Sequence, residues 1–278
     1  MVVDGGAGLP WGGVPARRPY QGGQVLELTG RTAVVTGGAS GIGAGVVAEL
    51  QQRGLRVVSL DVARGGPAEL EIECDVGDEA SVERAVAGAV EHLGGLHYAV
   101  CNAGVAGMAG VLSMPSSEWD RVVNVNLRGV FLSLQRAARA IRATGEGGAI
   151  VCTASTAAVT ADMGLVHYSV AKIGVSHLVR VAARELGPFG IRVNAVAPGL
   201  TDTPMTAATK DSPAYRDSVI SHTPLGRLGE VDDIVEAVLA LLAMRWVTGQ
   251  TLVADGGVTL TSGTDIPGVT AEVLAATQ

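Results

Sequence analysis

Length, composition and charge exclude several classes of protein. The chain has 278 residues, 47% of them hydrophobic and 17% charged, which excludes intrinsic disorder for its body and allows a sizeable core. The net charge of −7, without a run of Lys or Arg, argues against nucleic-acid and membrane partners, and the longest apolar stretches are too short to cross a bilayer.

The cysteines and the two ends of the chain carry few signals of chemistry. Cys74, Cys101 and Cys152 show no metal-ligand spacing, so we expect no metal site and a reducing, cytoplasmic compartment. Residues 1–24 contain ten glycines or prolines and no secretory signal, which predicts a flexible arm. Residues 261–278 are interpreted as a tail that is either disordered or lies over an active site.

Between these ends, short apolar runs alternate with runs of helical spacing. Strands are predicted at 31–38, 55–61, 69–76, 96–104, 147–155, 191–199 and 250–257, and helices at 41–54, 78–94, 116–145, 166–186 and 230–243. Because the strands are nearly all apolar, we expect an α/β fold with a parallel sheet of about seven strands and helices on both faces. The sequence thus predicts a single doubly wound, Rossmann-type domain over residues 25–260, with its ligand at the carboxyl ends of the strands.

A glycine-rich loop, TGGASGIG, joins the first predicted strand to the first helix. Glycine removes side chains where the strand turns abruptly, so that backbone N–H groups and the helix dipole face a pyrophosphate. The loop therefore predicts dinucleotide binding by Gly37, Ser40, Gly41, Ile42 and Gly43.

Asp61 ends the second predicted strand, 18 residues beyond Gly43. A carboxylate near this offset accepts hydrogen bonds from ribose hydroxyls and repels a 2′-phosphate. Neither Val62 nor Ser40 supplies a positive charge, although Arg64 is close. The sequence therefore favours NAD over NADP, and the alternative is that Asp61 only ends the strand.

Tyr168 and Lys172 lie four residues apart in YSVAK and so share one face of a predicted helix. A phenol has a pKa of about 10, too high for a base near neutrality. A neighbouring ammonium and an oxidised nicotinamide would both favour the phenolate, so Tyr168 is predicted to exchange a proton with an alcohol or carbonyl oxygen.

With these motifs the sequence resembles the short-chain dehydrogenase/reductase family, in its single-domain branch with TGxxxGxG. The matching motifs stand in the family's order: TGGASGIG, CNAG at 101–104, NVNLRG at 124–129, Ser155 thirteen residues before Tyr168, YSVAK, and APGLTDT at 197–203. The resemblance covers about residues 25–260 and implies hydride transfer between a nicotinamide cofactor and a secondary alcohol or ketone.

The resemblance also implies a role for each matching residue. Tyr168 would be the general acid/base, Lys172 would hold the nicotinamide ribose and lower the pKa of Tyr168, and Ser155 would steady the reacting oxygen. Asn126, within the long predicted helix, would position a water that links Lys172 to solvent. The remaining matches would contact the cofactor: Asp75 and Val76 beside the adenine, Asn102, Ala103 and Gly104 along the cleft, and Pro198, Gly199, Thr201 and Thr203 near the carboxamide and phosphate.

Two positions depart from the family's pattern. His97 stands where the strand before CNAG usually begins with Asp, and Cys101 replaces the first Asn of the usual NNAG. We expect both to alter strand support and not the chemistry.

The predicted substrate loops are 156–167 and 204–224. The first is largely apolar and the second has the Pro and Thr of a mobile lid, which favours an uncharged, moderately apolar alcohol. His167, beside Tyr168, is interpreted as a packed or exposed histidine and not as a second acid.

The helix at 166–186 has apolar residues on more than one face, so one face is expected to meet a second subunit. The resemblance suggests a homotetramer built from the two long helices and the last strand.

Two other functions stay open. A 3-oxoacyl-thioester reductase would normally prefer NADPH, which Asp61 opposes. A non-catalytic nucleotide sensor could share the fold, but it would need only the cofactor half of the site and not the full set Asn126, Ser155, Tyr168 and Lys172.

Overall fold

A computed structural model describes residues 29–207 and 212–260. The predicted flexible arm over residues 1–24 and the predicted tail over 261–278 lie outside the described residues. Within the described residues, no helix is long and apolar enough to cross a membrane.

The strands form one parallel sheet in the order β3-β2-β1-β4-β5-β6-β7. Their bounds are β1 Thr32–Thr36, β2 Arg56–Asp61, β3 Leu70–Glu73, β4 Tyr98–Cys101, β5 Gly148–Thr153, β6 Ile191–Pro198 and β7 Thr251–Ala254. The central strands are buried along their whole length, as nearly all-apolar parallel strands require. The predicted doubly wound fold is confirmed.

The α-helices cover both faces of the sheet. Their bounds are α1 Gly41–Gln52, α2 Glu79–Leu93, α3 Ser116–Val123, α4 Gly129–Thr144, α5 Val166–Leu186, α6 Pro213–Ser221 and α7 Val231–Ala243. Helices α2, α4 and α5 share one core with the sheet, and α1 and α7 share the other. The strands are added outward from β1 on one side and outward from β4 on the other, so the strand order reverses between β1 and β4 and opens a crevice at their carboxyl ends.

The structure differs from the predicted elements in the following details. The helix predicted over 116–145 contains a π-helical segment, Asn124–Arg128, between α3 and α4. The third strand, predicted over 69–76, spans only Leu70–Glu73 at the sheet edge. Helix α6 lies in the predicted substrate loop 204–224, where Pro213 stands at its first turn.

His97 supports the end of the sheet opposite the crevice. Its Nδ1 lies 2.8 Å from the Thr32 hydroxyl, and its Nε2 lies 3.7 Å from Glu146. Desolvation by partial burial lowers the pKa of His97, with the neighbouring Arg31 adding to the effect. The contacts agree with the expected role in strand support.

Candidate functional site

A cleft of about 510 Å³ lies at the carboxyl ends of the central strands. Every residue predicted to bind cofactor or to act in catalysis lines this cleft, with the exception of Gly43. Most of these residues follow strand ends or lie in the first turns of helices, so the parallel sheet itself brings them together. The exceptions are Lys172, in the second turn of α5, and Asn126, in the π-helical segment.

The loop between β1 and α1 needs glycine for two different reasons. Gly37 and Gly41 have φ of +68° and +52°, a region that side chains disfavour. A Cβ on Gly43 would lie 1.9 Å from the carbonyl oxygen of Gly37, so Gly43 allows α1 to pack against the loop. Ser40 precedes α1 and its side chain caps no helix N–H group. The first turn of α1 is therefore free to face an anionic group.

The Asp61 carboxylate is held in place by backbone N–H groups. Its Oδ2 accepts a hydrogen bond from Ala39 N at 3.0 Å and its Oδ1 accepts one from Ala63 N at 3.0 Å. Each oxygen keeps a further lone pair, because a carboxylate accepts about four hydrogen bonds. Asp61 lines the same cleft as the glycine loop, so it can meet the ribose of an adenine dinucleotide bound there.

A series of hydrogen bonds between polar groups crosses the ends of β1, β4 and β5. The Thr36 hydroxyl accepts hydrogen bonds from Asn102 N and Ala103 N, at 3.0 and 3.1 Å. The Asn102 amide nitrogen donates to Gly37 O, and its Oδ1 accepts from the Thr153 hydroxyl at 3.1 Å. These bonds fix the loop after β4 against the glycine loop.

Lys172, on α5, extends this series of hydrogen bonds. Its ammonium donates to Thr153 O at 2.8 Å and lies 5.4 Å from the centre of the Tyr168 ring. Burial lowers the pKa of Lys172 to about 8, because desolvation disfavours the charged amine. The hydrogen-bond acceptor for this amine is thus a backbone carbonyl and not a carboxylate.

The phenol of Tyr168 behaves differently from the expectation. Burial raises the pKa of Tyr168 above its ordinary value, and a hydrogen bond with Ser155 offsets part of the rise. In the protein alone, burial thus sets the direction of the shift, against the expectation that Lys172 lowers this pKa. Ser155 Oγ accepts a hydrogen bond from Ala157 N at 3.1 Å, so its O–H can donate to Tyr168 or to a bound substrate oxygen.

Asn126 lies buried in the π-helical segment. Its amide nitrogen donates to Val105 O and Val122 O, at 2.9 and 3.0 Å, and its Oδ1 accepts from Val105 N at 3.3 Å. Asn126 therefore clamps the segment that follows the CNAG motif. Its water-binding role stays a prediction.

The loop after β6 closes the other side of the cleft. The Thr201 hydroxyl donates to Gly199 O at 3.0 Å, while the Thr206 hydroxyl donates to Thr201 O at 2.6 Å. Thr203 lies against the start of α1, where a Cβ on Gly41 would be 3.5 Å from its side chain. The loop thus faces the region predicted to hold a pyrophosphate.

Sequence reasoning missed several contributors to the cleft. Thr36 and Thr153 orient the predicted residues through the bonds above, and their position at strand ends was the only available signal. Arg121 also lines the cleft, but its place there depends on how α3 packs, which no local pattern indicates.

The cleft fits an adenine–nicotinamide dinucleotide in its donors and acceptors. One end offers a carboxylate, the middle offers unpaired helix N–H groups, and the far end offers a phenol, a hydroxyl and a buried amine. Within the described residues, no cluster of three or more His, Cys, Asp or Glu is arranged to hold a metal ion.

Comparison with known proteins agrees with this geometry. A family model described as enoyl-(acyl carrier protein) reductase matches residues 37–259. A solved short-chain type dehydrogenase/reductase from Mycobacterium marinum superposes with a TM-score of 0.81 at 33% identity, covering 85% of this chain and 98% of that one.

Three curated relatives span most of the chain. An L-rhamnose 1-dehydrogenase (NAD(P)(+)) from Azotobacter vinelandii is 34% identical and covers 84% of this chain and 98% of that protein. A cis-4-hydroxycyclohexanecarboxylate dehydrogenase from Sinomonas cyclohexanicum is 40% identical, covering 82% and 96%. A 3-oxoacyl-(acyl-carrier-protein) reductase from Thermotoga maritima is 32% identical, covering 84% and 100%.

The chain belongs to the short-chain dehydrogenase/reductase family. It is an oxidoreductase that acts on alcohols or ketones and binds a nicotinamide cofactor, NAD or NADP.

Proposed function

We propose that the protein transfers a hydride between NAD(H) and an uncharged, moderately apolar secondary alcohol or its ketone. The observation that carries the proposal is one cleft with Tyr168, Ser155 and Lys172 at one end and Asp61 at the other. The dinucleotide, when bound along this cleft, supplies the hydride acceptor or donor.

In the proposed mechanism the protein moves the proton. Tyr168 takes the hydroxyl proton of the alcohol in oxidation and returns it to the oxygen in ketone reduction. Ser155 donates its O–H to the reacting oxygen, where negative charge develops. Lys172 has two N–H groups beyond the one given to Thr153 O, and its positive charge favours the phenolate of Tyr168.

The proposed substrate class is supported by the surface around the cleft. Met108 and Leu112 are exposed on the loop before α3, Met163 is exposed on the loop before α5, and Met205 is half-exposed on the wall of the cleft. The Ala109 N–H donates to Gly164 O, which joins the first two loops just before the start of α5. Exposed apolar side chains in this region favour uncharged substrates over acyl thioesters of large anionic carriers. The relative from Sinomonas, whose named substrate is a cyclic secondary alcohol, agrees with this class.

The proposed preference for NAD depends on Asp61 and can be tested by its replacement. In Asp61→Ser, a 2′-phosphate no longer meets a carboxylate, so kcat/KM with NADP⁺ should rise by about tenfold or more while kcat/KM with NAD⁺ falls. Initial rates with both cofactors over cyclic, linear and β-hydroxyacyl alcohols measure this.

Glu73→Gln is the matched control. Glu73 is the register partner of Asp61 on β3, but its exposed carboxylate lies outside the cleft. It should leave the cofactor preference unchanged. Wild-type turnover mainly with NADP⁺ on β-hydroxyacyl substrates would instead support the alternative function, a 3-oxoacyl-thioester reductase. The relative from Thermotoga carries the name of such an enzyme.

We also propose a homotetramer in a reducing, cytoplasmic compartment. Phe131 on α4 and Val181 on α5 are exposed at a groove of about 360 Å³ between these helices, and Ile173 is exposed elsewhere on α5. Leu252 and Val253 are half-exposed on β7, the outer strand of the sheet. Both surfaces are apolar enough to pack against further copies of the chain, and three buried free thiols suit a reducing compartment.

A further inference from the structure

His167 is a buried polar residue that the proposed proton transfer does not use. It lies in the first turn of α5, next to Tyr168, and none of its side chain is exposed. Neither ring nitrogen makes a hydrogen bond within the described structure. Burial of an imidazole without hydrogen bonds is unfavourable, so a hydrogen-bond partner for its nitrogens would stabilise the structure.

The partner is Glu118 on α3. His167 Nε2 lies 3.5 Å from Glu118 Oε1, slightly too far for a strong hydrogen bond. Arg121 binds the same carboxylate in bidentate fashion, at 2.8 and 2.9 Å. Arg121 first, and His167 after it, hold the pKa of Glu118 below its ordinary value. The carboxylate therefore joins a side chain of α5 to one of α3.

The same cluster holds residues 105–107, which follow the CNAG motif and reach the wall of the cleft at Val105. Arg121 donates to Ala106 O at 2.8 Å, and the clamp from Asn126 holds Val105. Gly107 packs directly on the cluster, since a Cβ there would lie 2.3 Å from Glu118 Oε1 and 2.8 Å from His167 Nε2. Any change in the His167–Glu118 distance must therefore move this wall relative to the start of α5.

We propose that His167 is a positioning residue: its contact with Glu118 sets the distance between Tyr168 and the wall at 105–107, and so the place of the substrate oxygen. This inference rests on the proposed proton transfer by Tyr168. Hydrogen bonds in active sites without substrate are often long and tighten in the complex. The 3.5 Å contact is of this kind, and substrate binding shortens it.

Two substitutions disturb the cluster from opposite sides. His167→Leu keeps a buried side chain but removes both nitrogens, and Gly107→Ala inserts a methyl group between Glu118 and His167. Each should lower kcat about 10- to 100-fold, because small misplacements of reacting groups have effects of that size. The Kd for NADH should not change. His167→Gln, whose amide nitrogen can stand near the position of Nε2, should restore most of the lost kcat.

Matched controls lie on the same elements. His177→Leu removes an exposed histidine from α5. Gly110→Ala adds a methyl group to the loop, where the nearest atom would be 3.6 Å away. Both should keep the wild-type kcat. If His167→Leu and Gly107→Ala match these controls, or if His167→Gln is as slow as His167→Leu, the inference is wrong.

Hydrogen–deuterium exchange of the NADH complex tests the inference without turnover. Peptides covering 102–114 and 163–168 should exchange faster in His167→Leu than in the wild type and in His177→Leu. Unchanged exchange in both peptides would overturn the positioning role, even if no alcohol in the panel is a substrate. A failure of the proposed function appears separately, as full turnover in Tyr168→Phe.

Discussion

At the scale of single residues, Lys172 is expected to serve catalysis, but its buried amine destabilises the fold. Its amine is buried, and its pKa falls to about 8, against about 10.4 in an unfolded chain. Between these two values the unfolded chain holds one more proton than the folded chain, so the free energy of unfolding rises with pH across this window. Below pH 8 the folded state carries the full cost of a buried ammonium.

Replacement of Lys172 should therefore stabilise the fold. Lys172→Met removes the charge and keeps the length of the side chain, and we expect its free energy of unfolding at pH 7 to exceed that of the wild type by about 1–3 kcal/mol. The lost bond to Thr153 O reduces the gain. Urea denaturation at pH 7 and at pH 9.5 measures both proteins. A variant that is less stable than the wild type at pH 7, or whose free energy of unfolding rises with pH as steeply, would show that the buried amine of Lys172 does not destabilise the fold.

At the scale of elements, the sequence predicted which helices and strands exist better than it predicted their irregular and short segments. Alternation of apolar strands with helical runs identified the parallel sheet. The start of α2 is capped by Asp78, which accepts a hydrogen bond from Ala80 N. The π-helical segment at Asn124–Arg128 has no signature in a single sequence, because its residues also suit an α-helix. Helix α6 was interpreted as part of a lid, since Pro and Thr obscure its short helical run.

The candidate site could be predicted largely because most of its residues stand at strand ends and helix starts. A parallel sheet brings such positions together whatever the intervening packing. What remained hidden depends on tertiary contacts. The meeting of Glu118, Arg121 and His167 requires the packing of α3 on α5. The raised pKa of Tyr168 likewise follows from burial, which the spacing of Tyr168 and Lys172 does not reveal.

At the scale of the whole molecule, the proposed assembly predicts a definite response to charge. Phe131→Glu with Val181→Glu places carboxylates on both sides of the groove between α4 and α5, where burial against another copy would be costly. Light scattering after gel filtration should give about four times the 28.1 kDa chain mass for the wild type and a smaller mass for the double variant.

Val111→Glu is the control for this assembly, because Val111 is exposed on a loop and does not line the groove between α4 and α5. It should keep the wild-type mass. A wild-type protein that elutes as a monomer, or a double variant with unchanged mass, would show that this face does not join subunits.

The central claim is proton transfer by Tyr168 during hydride transfer to NAD⁺, and single-turnover kinetics test it most directly. Enzyme premixed with NAD⁺ would be mixed with a cyclic secondary alcohol while NADH absorbance is followed, for the wild type, Tyr168→Phe and Tyr98→Phe. Tyr98 lies buried at the start of β4, away from the cleft, so its variant should react like the wild type. The account predicts a rate for Tyr168→Phe that is lower by about 10²- to 10⁴-fold, with NADH binding unchanged. NADH formation at the wild-type rate in Tyr168→Phe would contradict it.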